Sequence, residues 1–157
     1  MKLAIVSLCL VSTLIGCVTA RSPAVELHVP SSSNYHDLEL ALDEAEAKWS
    51  SSGILSYSYH INCGSVFGGS EYKVTYHNGA CHAKYIRDYG MPSTCECNQY
   101  SMPQLFAIIR NAITAKYGEI SVSFDSECGN VQEFSLRPDA SEPDNAWIVV
   151  ISHFKRS

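Results

Sequence analysis

The chain has 157 residues, of which 46% are apolar, and this length and composition are typical of one domain with a single packed core. Its formal net charge is −5, and its few basic residues are scattered along the sequence. Nucleic-acid phosphates and anionic lipid headgroups attract clustered Lys and Arg, so we expect no nucleic-acid partner and no charge-driven binding to a lipid surface.

The N-terminus carries the features of an export signal. Lys2 precedes an apolar stretch from Leu3 to Val18, and the small residues Val18-Thr19-Ala20 stand before a cleavage site in front of Arg21. We therefore predict a signal peptide at residues 1–20 and a secreted protein. Nothing after Ala20 reaches the roughly 20 apolar residues of a membrane-spanning helix, so no transmembrane segment is expected in the mature chain.

A second interpretation of the same stretch stays open. The residues Leu14-Ile15-Gly16-Cys17 resemble a bacterial lipobox. On this alternative Cys17 is lipidated and becomes the first residue, and acyl chains hold the protein at a membrane surface.

Residues 21–33 contain two prolines and a Ser-Ser-Ser run, without an apolar period. We interpret them as a flexible leader, followed by one folded domain at residues 34–157.

An amphipathic helix is predicted from Asn34 to just before Gly53, because apolar residues recur there at a spacing of three to four. Its apolar residues are Leu38, Ala41, Leu42, Ala45 and Trp49. Strict alternation of apolar and polar residues from Leu55 to Asn62 then predicts a half-buried strand.

A loop is expected from Gly64 to Ser70, and a hairpin after it. Asn78-Gly79 is a strong signal for a two-residue hairpin turn. With these two residues at the turn, three cross-strand pairs are predicted, and their apolar faces agree: Tyr76 with Cys81, Val74 with Ala83, and Tyr72 with Tyr85.

After a loop from Asp88 to Tyr100, the sequence Ser101-Met-Pro-Gln104 predicts the start of a second helix, which we expect to end near Gly118. Three strand-like runs follow, at Ile120–Asp125, Val131–Leu136 and Trp147–Phe154. The sequence therefore predicts an α+β single domain of order αβββαβββ, with two helices packed on one face of an antiparallel sheet.

Motifs on these elements resemble the small exported proteins of the family called domain of unknown function 6174. The resemblance covers residues 38–154 and implies this fold and export, but no chemistry. The motifs are Trp49, Tyr57-Ser-Tyr59 before Cys63, Val74 to Asn78-Gly79, Leu105-Phe106, Val122-Ser-Phe124-Asp125 before Gly129, and Trp147 to Phe154.

The chain departs from the family at Ser65, where members carry a second cysteine two residues after Cys63. Four cysteines are additions to the pattern: Cys81, Cys95, Cys97 and Cys128.

Five cysteines survive removal of the signal, an odd number for an oxidising compartment. If the second helix runs back along the sheet, Cys63, Cys95, Cys97 and Cys128 lie at one end of it. We expect two disulfides joining Cys63 and Cys128 to the Cys95 and Cys97 pair, in one of the two pairings. Cys81 lies beside the opposite turn and is expected to be a free thiol.

Zinc bound by the same four cysteines is the alternative, although such sites usually have Cys-x-x-Cys spacing and belong to reducing compartments. His77 and His82 flank the Asn78-Gly79 turn and could recruit a metal together with a partner chain; solvated side chains are the simpler interpretation. We expect no cofactor and assign no metal ligands within the chain.

No catalytic residues are assigned. The candidate set is Cys81 and His82 with Asp88 or Asp125, but adjacent residues on a strand point to opposite faces. Tyr57, Tyr59, Tyr72, Tyr76 and Tyr85 share a face, either as core beneath the helices or as an aromatic binding surface. We expect a non-catalytic module, secreted or held at a membrane surface, that binds a protein or small molecule. The alternative is a small extracellular enzyme or inhibitor.

Overall fold

A seven-stranded antiparallel sheet is covered on one face by two α-helices. The computed structural model describes residues 25–29 and 35–157. The spatial order of the strands is β1-β5-β6-β7-β2-β3-β4. In chain order the elements are β1 (Val25–Val29), α1 (Tyr35–Ser51), β2 (Tyr57–Ser65), β3 (Gly68–His77), β4 (Ala80–Gly90), α2 (Met102–Thr114), β5 (Glu119–Phe124), β6 (Val131–Arg137) and β7 (Trp147–Arg156).

The predicted α+β class and the order αβββαβββ are confirmed, with one strand added in front. Residues 21–33 were expected to be a flexible leader, and this is wrong for Val25–Val29, which pair with β5 from Val25 opposite Phe124 to Val29 opposite Ile120. Apolar and polar residues alternate in this segment, a period of two that fits a strand. The predicted signal peptide at residues 1–20 and the alternative lipidation at Cys17 lie outside the described residues.

Both helices bury an apolar stripe against the sheet. From α1 the buried residues are Leu38, Leu42, Ala45 and Trp49, and from α2 they are Met102, Leu105, Phe106, Ile109, Ala112 and Ile113. The two helices are also joined at their surface, because Arg110 of α2 forms ion pairs with Asp43 and Glu46 of α1. The face of the sheet away from the helices is called the open face below.

The predicted hairpin register is confirmed at all three pairs, from Tyr76 opposite Cys81 to Tyr72 opposite Tyr85. Asn78 and Gly79 both have positive φ, 49° and 81°, as a type I′ turn requires. The strands are longer than expected, because the predicted loop from Gly64 to Ser70 is mostly paired: Gly64 lies opposite Gly69 and Ser65 opposite Gly68. Only residues 66 and 67 form the turn between β2 and β3.

Helix α2 starts as predicted, with the Ser101 hydroxyl accepting a hydrogen bond from the Gln104 amide at 3.3 Å. Its end differs. The left-handed residue after the helix is Lys116 (φ 54°) rather than Gly118. Gly118 is needed for a different reason, since a Cβ there would collide with the backbone nitrogen of Ala140.

A β-bulge interrupts the pairing of β7 with β2. His60 lies opposite Ser152 and Ser58 opposite Lys155, so β7 has an extra residue between these pairs. Phe154 packs against Trp49 and Tyr57 beneath α1, whereas His153 has a φ of 54° and its ring lies beside His60 on the open face. The bulge therefore turns His153 away from the core.

Strand directions define two ends of the sheet. Trp147, Ser65, Gly68 and Gly90 lie at one, called the Trp147 end, and Tyr57, Tyr76 and Cys81 lie at the other, called the Tyr57 end. No helix among the described residues is long and apolar enough to cross a membrane.

Candidate functional site

The segment between β4 and α2, residues 91–101, crosses the helix-covered face of the sheet and is called the crossing segment. It leaves β4 at the Trp147 end, where the Ser93 hydroxyl donates to the Cys63 carbonyl at 2.5 Å. It reaches the Tyr57 end where α2 begins, because the Met102 amide donates to the Tyr57 hydroxyl at 3.1 Å. A short 3₁₀ helix at Cys97–Tyr100 completes the path.

Sheet tyrosines hold the crossing segment through its backbone. The Tyr72 hydroxyl donates to the Ser93 carbonyl at 3.4 Å and the Tyr76 hydroxyl to the Cys97 carbonyl at 2.5 Å. The Tyr59 hydroxyl donates to the Tyr100 carbonyl. Each bond gives a buried or half-buried phenol a backbone carbonyl of the crossing segment as its acceptor.

Burial favours the protonated form of the phenols in the core. It raises the pKa of Tyr76 to about 12, with neighbouring Tyr57 adding to the shift. The pKa values of Tyr57, Tyr59 and Tyr100 are also raised, in each case mainly by burial. A charged phenolate could not donate to a carbonyl, so the neutral form is the one that the fold requires.

The first of the two alternatives for the tyrosine face, core beneath the helices, is confirmed for Tyr57, Tyr59 and Tyr76, which are at most 7% exposed. Tyr72 is half-buried and makes an edge-to-face contact with Tyr85 at 5.6 Å. Tyr85 is 51% exposed and is not part of the core.

Two disulfides tie the crossing segment to the sheet: Cys63 with Cys95, and Cys81 with Cys97, with Cα–Cα distances of 6.3 and 6.0 Å. The expected link from Cys63 to the Cys95 and Cys97 pair is confirmed as Cys63–Cys95. The expectation that Cys81 is a free thiol is wrong, and so is the expected bond from Cys128 to this pair. The alternative zinc site at four cysteines is wrong too, because three of them, Cys63, Cys95 and Cys97, are in disulfides.

One misplaced segment explains both errors. The loop after β4 was expected to stay at one end of the sheet, but it runs to the other end and brings Cys97 to Cys81. Helix α2 then runs in the direction opposite to that assumed, so β5 ends at the Tyr57 end. Cys128 follows β5 and is buried there, in the turn between β5 and β6.

At the Trp147 end the crossing segment and the turn between β2 and β3 form an open cleft. Gly68 (φ 134°) and Gly90 (φ 72°) lie opposite each other, and a Cβ on Gly68 would collide with the Tyr89 carbonyl. This close backbone contact lets the Met91 amide donate to the Phe67 carbonyl at 3.1 Å. Phe67 and Met91 thus stand side by side at the rim.

The cleft has a volume of about 350 Å³ and a mainly apolar lining. Its aromatic and aliphatic surfaces come from Phe67, Met91, Pro92, Tyr100 and Trp147, and Cys63, which is bonded to Cys95, is also part of the lining. The rim is exposed, with Phe67 56% and Met91 65% accessible. Hydroxyls of Ser65, Ser93 and Thr94 add polar groups to the wall.

A buried carboxylate lies on the open face. Glu71 is 9% exposed, receives hydrogen bonds from Arg87 Nε at 2.8 Å and the Tyr89 hydroxyl at 2.7 Å, and lies 3.0 Å from Nδ1 of His60. The hydrogen bond from Tyr89, followed by those from His60 and Arg87, lowers the pKa of Glu71 to about 2. These four residues are called the Glu71 cluster.

The candidate catalytic residues do not form a site together. Cys81 is in a disulfide and has no thiolate to offer. The Asp88 carboxylate accepts from the Ser70 hydroxyl at 2.6 Å, and that of Asp125 accepts from the amide of Cys128 at 2.7 Å as part of the β5–β6 turn. His82 lies opposite Thr75 with its side chain exposed. In the described parts of the chain no three His, Cys, Asp or Glu side chains are grouped as metal ligands.

Comparison with known proteins identifies the family. The model of a family of unknown function, DUF6174, matches residues 41–156. The chain belongs to this family. No curated protein and no solved structure matches it.

Sequence reasoning missed both the cleft and the Glu71 cluster. Phe67 and Met91 stand in what looked like two unrelated loops, and only the pairing of Gly68 with Gly90 brings them together. For the cluster one signal was available: Glu71 and Arg87 fall on facing strands once the hairpin register is extended. A bulge at Ile86 shifts that register by one residue, and the sequence does not indicate it.

The disulfide pattern can be tested by peptide mapping without reduction. Glu96 is the only residue between Cys95 and Cys97, and Lys84 and Arg87 lie between Cys81 and Cys95, so cleavage after glutamate combined with trypsin separates the two bridges. We expect one peptide pair joining Cys63 to Cys95 and another joining Cys81 to Cys97. A peptide pair that joins Cys97 to Cys63 or to Cys128 would contradict the path of the crossing segment.

High pH should unfold the protein through its buried phenols. Tyrosine has a pKa of about 10 in an unfolded chain. Because the folded-state pKa values are raised, the buried tyrosines contribute their full stability below about pH 10 and lose it as the pH rises toward 12. In this window we expect the phenolate absorbance at 295 nm to rise while the circular-dichroism signal of the folded protein is lost. Ionisation of all nine tyrosines near pH 10 in a protein that stays folded would show that the hydroxyl bonds are absent.

Proposed function

We propose that the protein is an exported, non-catalytic module that binds a small apolar ligand in the cleft at the Trp147 end. The observation that carries the proposal is the concave volume of about 350 Å³, which falls in the range of small-molecule sites. Its lining combines large apolar surfaces with a few hydroxyls, as such sites usually do.

The rigidity of the cleft supports binding. The Cys63–Cys95 disulfide and the hydrogen bond from Ser93 to the Cys63 carbonyl hold the wall against β2. A second bond, from the Ser93 amide to the Ser70 hydroxyl at 2.9 Å, fixes the wall to β3. A site held in one geometry loses little conformational freedom when a ligand enters.

A non-catalytic role agrees with the chemistry of the lining. None of the residues around the cleft is an acid, a base or a free thiol, since its lining cysteine, Cys63, is in a disulfide. Exposed Val66, Phe67 and Met91 at the rim favour a second candidate, a protein partner that inserts an apolar side chain.

The apolar probe 8-anilinonaphthalene-1-sulfonate tests the site. The chain has two tryptophans, of which Trp147 lines the cleft and Trp49 lies in the core. We expect energy transfer to the bound probe to fall much more strongly in Trp147→Phe than in Trp49→Phe. The double variant Phe67→Ser with Met91→Ser should weaken binding by about tenfold, which corresponds to about 1.4 kcal/mol of lost apolar contact.

Leu40→Ser with Leu55→Ser is the matched control, because Leu40 and Leu55 are apolar residues away from the cleft that are at least about as exposed as Phe67 and Met91, at 54% and 77%. We expect this pair to bind the probe as the unchanged protein does. Equal weakening in the two double variants would mean that the probe senses general surface hydrophobicity, and the proposed site would be wrong. If a protein partner displaces the bound probe and small apolar molecules do not, the result favours the second candidate.

Export is supported by the two disulfides, which form and persist in oxidising compartments, and by the position of β1. A cut before Arg21 would remove the apolar N-terminal stretch and leave Val25–Val29 available for the sheet. We expect the intact mass of the protein, recovered from the medium of an expressing culture, to correspond to a chain that starts at Arg21. A mass that includes diacylglycerol on Cys17 would replace release by a lipid tether.

A further inference from the structure

We propose that His60 and His153 bind a divalent transition-metal ion through their Nε2 atoms on the open face of the sheet. The two rings lie side by side, with their centroids 4.8 Å apart and their planes inclined at 45°. This separation places two imidazole nitrogens within reach of one ion. The site is distinct from the cleft, which lies on the helix-covered face at the Trp147 end.

The ring of His60 is fixed in a form suited to a ligand. Its Nδ1 faces a carboxylate oxygen of Glu71 at 3.0 Å, and an ionised carboxylate only accepts hydrogen bonds. Nδ1 must therefore carry a proton, which leaves the lone pair of a neutral imidazole on Nε2. Metal-binding histidines almost always donate their other ring N–H to such a partner.

The Glu71 carboxylate is itself held. Arg87 and Tyr89 both donate to its second oxygen, at 2.8 and 2.7 Å, and only 12% of its side chain is exposed. Two layers of contacts thus orient His60. Lys73 stands opposite His60 on β3, and the Glu71 carboxylate offsets this positive charge next to the bound ion.

His153 reaches the site only because the backbone of β7 is irregular. In a regular strand the residue after Ser152 would face the helices, since side chains alternate. The bulge and the φ of 54° place the His153 ring on the open face instead. A left-handed conformation costs a non-glycine residue free energy, and such strain is concentrated at functional sites.

The chemistry of two imidazoles favours copper, nickel or zinc over magnesium or calcium, which take oxygen ligands. In the affinity order for first-row ions Cu²⁺ binds most tightly, so Cu²⁺ is the probe. With two protein ligands on a surface, water completes the coordination.

The test measures Cu²⁺ binding to the purified chain without a histidine tag, by calorimetry and by electron paramagnetic resonance. We expect one tight site whose spectrum shows coupling to two imidazole nitrogens. His60→Gln and His153→Gly should each remove it. Glu71→Gln should weaken it by about 10- to 100-fold, the usual effect of losing the partner of a metal-binding histidine.

His153→Gly separates binding from folding. Glycine adopts a φ of 54° without strain, so this variant should melt at the same temperature as the parent or higher, although it has lost the metal site. The matched control is the double variant His77→Gln with His82→Gln, which removes two exposed histidines at the Asn78-Gly79 turn and should leave the affinity unchanged.

Either of two results would overturn the proposal. The first is Cu²⁺ affinity in His153→Gly equal to that of the parent chain. The second is a loss of affinity in the His77 and His82 double variant as large as that in His60→Gln, which would assign the ion to surface histidines in general.

Discussion

The hydrogen bonds from sheet tyrosines to the backbone of residues 91–101 are the contacts on which the rest of the structure depends. Tyr59, Tyr72 and Tyr76 each fix a carbonyl of this segment, and Tyr57 receives the first amide of α2. Because the segment crosses the sheet, it sets the direction of α2 and so that of every strand after it. It also forms one wall of the cleft, so the fold and the candidate ligand site share these contacts.

Sequence patterns were sufficient wherever a local rule decides the structure. The helix period around Trp49, the Asn78-Gly79 turn and the Ser101 cap all indicated elements that are present. The path of residues 91–101 could not be predicted, because it depends on hydroxyl bonds across the sheet, to residues far away in the chain. That single unknown decided the partners of Cys81 and Cys97, and with them the position of Cys128.

Both candidate sites arise where the regular sheet is broken. In the cleft, paired glycines let two backbones approach and bring Phe67 next to Met91. On the open face an extra residue in β7 turns His153 outward. Neither irregularity has a signal in hydrophobic periodicity, which describes the core well and the surface poorly. The residues that follow a clear hydrophobic period are therefore those that stabilise the fold. The residues placed for binding lie where that period is interrupted.

Strand β1 has a consequence for how the protein matures. The first strand to be synthesised can pair only late, because its partner, β5, follows two helices and three other strands along the chain. Until then β1, in which apolar and polar residues alternate, has no partner strand, and such segments associate readily with one another. This topology therefore requires β1 to stay protected from association while the rest of the chain is synthesised, and the edge of the sheet closes only after β5 has formed.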